Sequence, residues 1–239
     1  MLFGPCETLH NTDKPRIDFR DEVVVLVGVT EQRFVAHKTM LCESSEFMQT
    51  ACTERWLGAP EKVIRLPEQD PVAFDIYLNW RYTGSIDLWN GVPNESVRTD
   101  SDGVQRPNPG DRYSVIVKCY VLGDMLLDNE FSNALIDSFK DLSRQTHCVP
   151  RPKVANLAFE LLGFDSPLRK LIVHETAYQA GTEYFQRLID KYHPDITKEL
   201  AKLLHADLVE HPGSARRLRA RDGCYFHKHR KGDSCGSKR

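Results

Sequence analysis

Between Glu22 and Gly28 the chain reads EVVVLVG, an unbroken aliphatic run closed by glycine, which is the composition of a buried strand. A polar link, VTEQ, follows. RFVAHK then alternates, with Phe34 and Ala36 toward one side and Arg33, Val35 and His37 toward the other. Two strands joined by a short polar link predict a hairpin. From His37 the period changes, and Met40, Leu41, Ser44, Phe47 and Met48 recur at helical spacing. Ser44 and Ser45 stand where one helix can stop and a second be capped. KVIRLPE reads as a third strand stopped by Pro67. In EQDPVAFDIYLNWRYTG, Asp70 is an N-cap, Pro71 fills the first helical position and Gly84 ends the helix. Phe74, Tyr77, Leu78 and Tyr82 mark its apolar face, widened by Ile76 and Trp80. The predicted order is strand, strand, two helices, strand, helix.

Residues 89–112 are rich in Pro, Gly, Asn, Asp and Ser and read as a long loop insertion. Helical periodicity resumes at Tyr113 with Val117, Tyr120, Val121 and Met125, then Phe131, Leu135, Ile136 and Phe139, with a break at Asp128–Asn129. A further helical region runs over 153–210, punctuated by prolines, and its longest helix is expected from Ser166 as cap to Tyr192. Residues 1–19 lack periodicity and read as a flexible arm.

Composition narrows the function. The chain has 239 residues, 41% apolar and 28% charged, enough for a substantial core. It contains no run of about 18 apolar residues and no basic start followed by an apolar stretch, so neither a membrane span nor a secretory signal is expected. Of seven cysteines, five (Cys6, Cys42, Cys52, Cys119 and Cys148) are scattered, which fits reduced thiols in an intracellular protein, cytoplasmic or nuclear, better than a disulfide framework. Charge is uneven. Nine Lys or Arg stand against two Asp between Ser214 and Arg239, a net +7, which leaves −9 for the rest of a chain whose total is −2.

Several motifs invite a chemical reading. RFVAHKTMLCESSEFM gathers His, Lys, Cys, Glu and Ser, yet Cys42 has no glycine-rich turn or second histidine nearby, so a buried structural thiol is the better reading. His37, where strand becomes helix, reads as a hydrogen-bonded brace rather than a catalytic or metal-binding group. VGVTEQ lacks the G-x-x-x-x-G-K pattern of a phosphate loop. Glu68 and Asp70 are explained by helix capping. In the tail, Cys224, His227, His229 and Cys235 lie at C-x2-H-x-H-x5-C. Two thiolates and two imidazoles are a closed tetrahedral zinc set, and a structural zinc could fix a short basic tail that has no core of its own. The spacing is not that of a common finger, and a solvated basic tail, or one that serves as a nuclear import signal, stands as the alternative.

Taken in order, VVVLVG, RFVAHKTMLCESSEFM, IRLPEQDPVAFDIYLNWRYTG and VKCYVLGDMLLDNEFSNALID resemble a BTB/POZ domain, most closely its fungal branch, over residues 20–144. The resemblance implies an α+β fold, a small β-sheet capped by α-helical hairpins, followed here by an α-helical C-terminal region. It implies a non-enzymatic protein–protein interaction module for scaffolding or dimerisation, without a small-molecule substrate, membrane or required cofactor, and with nucleic acid an unexpected partner. Members commonly dimerise through the first helix and the N-terminal segment. The short polar arm here leads to the expectation of a weak homodimer. In dimeric members an early acid and the base after the histidine form a charged pocket, which maps onto Glu22 (or Asp21) and Lys38, with two separate surface charges as the alternative. A substrate adaptor of a cullin-based ubiquitin ligase is the second functional reading, weakened because no kelch or MATH module is recognisable in the sequence.

Overall fold

The computed structural model describes residues 17–53, 63–89, 97–99, 105–107 and 109–210. Strands β1 (Glu22–Val27) and β2 (Gln32–His37) form the expected antiparallel hairpin, with Glu22 opposite His37 and Val24 opposite Val35. Strand β3 (Val63–Leu66) pairs parallel with the other edge of β1, giving the order β2-β1-β3. A parallel neighbour requires a crossover. Helices α1 (Lys38–Cys42) and α2 (Glu46–Ala51) lie within it. Ser45 caps α2, its Oγ accepting the Met48 amide at 3.0 Å. Strand alternation turns Val23, Val25, Val27, Ala36, Ile64 and Leu66 inward, and all six are buried.

Helix α3 (Pro71–Thr83) follows the predicted cap chemistry. Asp70 Oδ1 accepts the Val72 amide at 2.9 Å, and Gly84 closes the helix at φ 74°. Its buried face departs from expectation in one respect. Tyr82 is 40% exposed, and the neighbouring Arg81 is buried in its place.

Asp70 also joins α3 to α4 (Pro109–Leu126), because Lys118 Nζ donates to Asp70 Oδ2 at 2.7 Å. Burial pushes the Asp70 carboxyl up, but the Lys118 hydrogen bond and charge, with the amides of Val72 and Ala73, outweigh it and hold the group below its ordinary value of 3.8. A carboxylate lowered on folding stabilises the native state above its unfolded pKa and loses that contribution as pH falls through its folded one. Asp70→Asn should therefore lessen the loss of stability below about pH 4, read from urea midpoints taken between about pH 7 and pH 3. An acid limb as steep as that of the unmodified chain would contradict this.

Within 89–112, expected to be a loop, the described residues include short regular elements. Strands β4 (Val97–Thr99) and β5 (Gln105–Pro107) pair antiparallel, and α4 begins at Pro109 inside that stretch. Helix α5 (Asn129–Thr146) starts at the expected break.

The C-terminal region comprises α6 (Pro152–Leu161), α7 (Pro167–Gln179), α8 (Thr182–Leu188), a 3-10 turn over Ile189–Lys191, and α9 (Pro194–Glu210). The single helix expected from Ser166 to Tyr192 is interrupted. Ala180 and Gly181 are extended, at ψ 124° and 146°, and Gly181 becomes the N-cap of α8. Glycine is a poor helix interior residue, by about 1 kcal/mol relative to alanine, and here it permits the break. Ser166 occupies the N-cap position of α7 but makes no capping bond through its side chain.

This region is tied to the preceding helices by polar as well as apolar contacts. Ser143 Oγ on α5 donates to the buried Glu175 carboxylate on α7 at 2.5 Å. One connected apolar core extends from Val23 in β1 to Leu200 in α9. Among the described residues, no helix is long and apolar enough to cross a membrane.

Candidate interaction surface

The strand-to-helix corner at His37 is built by three chain segments. The His37 amide donates to Tyr82 Oη at 3.0 Å, and the same hydroxyl lies 2.7 Å from His37 Nδ1. One tyrosine at the end of α3 thus pins both the backbone and the ring at the point where β2 becomes α1. His37 is the brace that its position predicted. Phe19 packs edge-on against the His37 ring at 5.1 Å, and His37 meets Tyr82 edge-on at 5.8 Å. Phe19 is 69% exposed, so this aromatic corner offers apolar area to solvent beside a fixed backbone. The last residues of the expected flexible arm are therefore engaged with the domain.

The sheet face turned away from the core continues this surface. Val24 faces its partner Val35 across the hairpin, and Leu26 lies opposite Arg33. Val63 of β3 is in register with Val24. Val24, Leu26 and Val63 are half-buried, whereas Val35 is 40% exposed. The result is an apolar strip along the middle of the sheet with charged ends. At one end Arg65 lies 3.6 Å from Glu31. At the other, Glu22 is exposed opposite His37, and Lys38 opens α1, half-buried, with its amide donating to the Asp21 carbonyl at 2.9 Å. No ion pair joins Lys38 to Glu22 or Asp21 among the described residues.

Behind this corner the polar groups are structural. Cys42 donates to the Met48 carbonyl at 3.4 Å. Its hydrogen bond with Cys52 and its burial push the thiol up, away from the thiolate that a nucleophile needs. The α1–α2 turn is anchored by Asp128, which is fully buried. Asp128 Oδ2 accepts from Ser44 Oγ at 2.5 Å and from the Tyr77 hydroxyl at 3.0 Å, while Oδ1 caps α5 through the Phe131 amide at 3.0 Å. Burial, followed by the neighbouring Asp128 charge, pushes the Tyr77 hydroxyl up and keeps it a donor. Ser45 Oγ adds a bond to the Leu126 carbonyl at 2.6 Å. Asp128 is legible in the sequence as a helix break, but its second role leaves no local signal, because its partners lie 84 and 51 positions away.

The sequence-proposed zinc ligands Cys224, His227, His229 and Cys235 lie outside the described residues. Among the described residues, no group of three or more His, Cys, Asp or Glu is placed to hold a metal ion.

The hairpin, the α1–α2 crossover, the parallel third strand and α3 define the class. The family model of the BTB/POZ domain matches residues 17–98, and that part of the chain is a BTB/POZ domain followed by a helical C-terminal region. BTB domains are protein–protein interaction modules and mediate binding and dimerisation. No curated protein matches the chain.

Proposed function

We propose that the protein is a scaffold that self-associates weakly through the surface formed by Phe19, His37, Tyr82 and the outer strip of the sheet. The observation that carries this reading is the exposed aromatic corner fused to an apolar strip on a rigid hairpin. Rigid apolar area of this kind can be covered with little ordering cost. Weakness follows from the small number of exposed anchors, chiefly Phe19, Val35 and Tyr82. Light scattering on the full chain across a dilution series should show a monomer–dimer equilibrium in the micromolar range, about −8 kcal/mol. Phe19→Ser combined with Val35→Glu should shift it to monomer. A dimer that persists at nanomolar protein, or a monomer at every concentration, would defeat the proposal. A pull-down from cell extract that recovers a cullin would replace it with the ligase-adaptor reading.

A further inference from the structure

The helical C-terminal region contains a second surface, made by different elements. Asn156 on α6 donates through Nδ2 to the Lys191 carbonyl at 2.9 Å and accepts the His193 amide at 2.7 Å. This pair of hydrogen bonds to the backbone clamps the end of the 3-10 turn against α6, and a pocket of about 570 Å³ lies between α6 and the α8–3-10 segment. That volume lies within the range of about 300–1,000 Å³ common to ligand pockets. Its floor is apolar, formed by buried Pro152 and half-buried Leu188 and Tyr184.

The rim has a single sign of charge. Arg151, Lys153, Arg187 and Lys191 all line the pocket, all are exposed, and among the described residues no carboxylate lines it. Glu183 and Asp190 belong to the same stretch of chain but not to the lining. None of the four cations is in an ion pair among the described residues. The first turn of α6 lies at the same rim without a side-chain cap, which adds the positive end of a helix. The larger groove between the α6–α7 link and α9 is unlike this. Its Lys170 and Lys202 are matched with Asp165 and Glu199.

Four unmatched cations around an apolar floor define the chemistry of the occupant. We propose that this pocket docks a short acidic segment of a partner protein. One apolar side chain would rest on Pro152, Tyr184 and Leu188, with flanking carboxylates meeting Arg151, Lys153, Arg187 and Lys191. A nucleic-acid backbone would satisfy the rim but leave the floor in water. The chain's own segment from Ser214 to Arg239 carries +7 and is repelled. The clamp by Asn156 fixes the pocket before binding, which lowers the ordering cost.

The test uses the full chain and fluorescence anisotropy with a labelled peptide in which six glutamates flank one leucine in a Gly/Ser background. Binding is expected, and it should weaken as NaCl is raised. The double variant Arg187→Glu/Lys191→Glu should weaken it by at least about tenfold, since charge reversal at an interface both removes attraction and adds repulsion. Both positions are exposed, so an unchanged melting temperature is the control for folding. Replacing the leucine of the peptide by serine should cost at least about fivefold, because the apolar floor then loses the aliphatic side chain that covers it. Failure of the peptide to bind, equal binding by the serine peptide, equal binding by the double variant, or displacement by a single-stranded oligonucleotide at lower concentration would each overturn the proposal. None of these outcomes depends on self-association of the BTB/POZ part.

Discussion

Asp128→Ala is expected to destabilise the fold by about 3–5 kcal/mol, the sum of a lost helix cap and buried donors left without an acceptor. The side chain is fully buried and accepts three bonds, from Ser44, Tyr77 and Phe131. Loss of an N-cap costs about 1 kcal/mol, and each orphaned buried donor about 1–3 kcal/mol. Tyr77 is fully buried and has no route to water, so it should contribute near the upper end of that range. Ser44 is half-buried and should contribute less. Asp128→Asn keeps one carbonyl oxygen, and with it the cap, and should lose about half as much. Urea denaturation would report both. An Asp128→Ala variant within about 1 kcal/mol of the parent would show that the three bonds are replaced by water and that the hub does not hold the α1–α2 turn.

What could be read in advance was whatever the chain encodes locally. Period-two alternation placed Phe34 and Ala36 inward. The Asp70–Pro71 pair, Gly84 and Asp128 marked helix ends, because each supplies a cap or a backbone conformation that its immediate neighbours need. What escaped was non-local or weakly patterned. Arg81 sits between Trp80 and Tyr82 in an aromatic stretch, and nothing local distinguishes it from a surface arginine. Its burial depends on groups about forty positions earlier. The strands at 97–99 and 105–107 are three residues each, too short for alternation to register. Gly181 is masked in the pattern, because the apolar positions on either side keep a helical phase.

The same distinction applies to the surfaces. His37 is legible as a brace from its place at a strand end, but the hydroxyl that holds it comes from Tyr82, which periodicity places only on the apolar face of its helix. The cationic pocket joins Arg151 and Lys153 to Arg187 and Lys191, two short groups that look like ordinary solvated charge in the sequence. Only the break at Ala180–Gly181 and the Asn156 clamp bring them to one rim. A single uninterrupted helix, as first expected, would have carried Lys191 away along its axis at about 1.5 Å per residue.

Arg81→Ala should cost about 3 kcal/mol, and Glu43→Ala only about 1 kcal/mol, although the two residues form one ion pair. Arg81 Nη2 donates to Glu43 Oε2 at 2.7 Å, and Nε donates to the Met40 carbonyl at 2.8 Å. The two ends of the pair differ in their solvent. The Arg81 side chain is 6% exposed and that of Glu43 is 34% exposed. Removing Glu43 opens a path by which water can solvate the guanidinium, which keeps its bond to Met40 and its contact with the Trp80 ring at 5.5 Å. Removing Arg81 strips the Met40 carbonyl, in the middle of a five-residue helix, of its side-chain partner and leaves a void beside Trp80. Arg81→Met, which restores volume without the donor, should recover about 1 kcal/mol of the loss. The three variants separate two accounts of this corner. If the ion pair itself dominates, Glu43→Ala will cost as much as Arg81→Ala. If the bond to Met40 and the packing dominate, as the exposures indicate, the costs will differ by about 2 kcal/mol in urea unfolding.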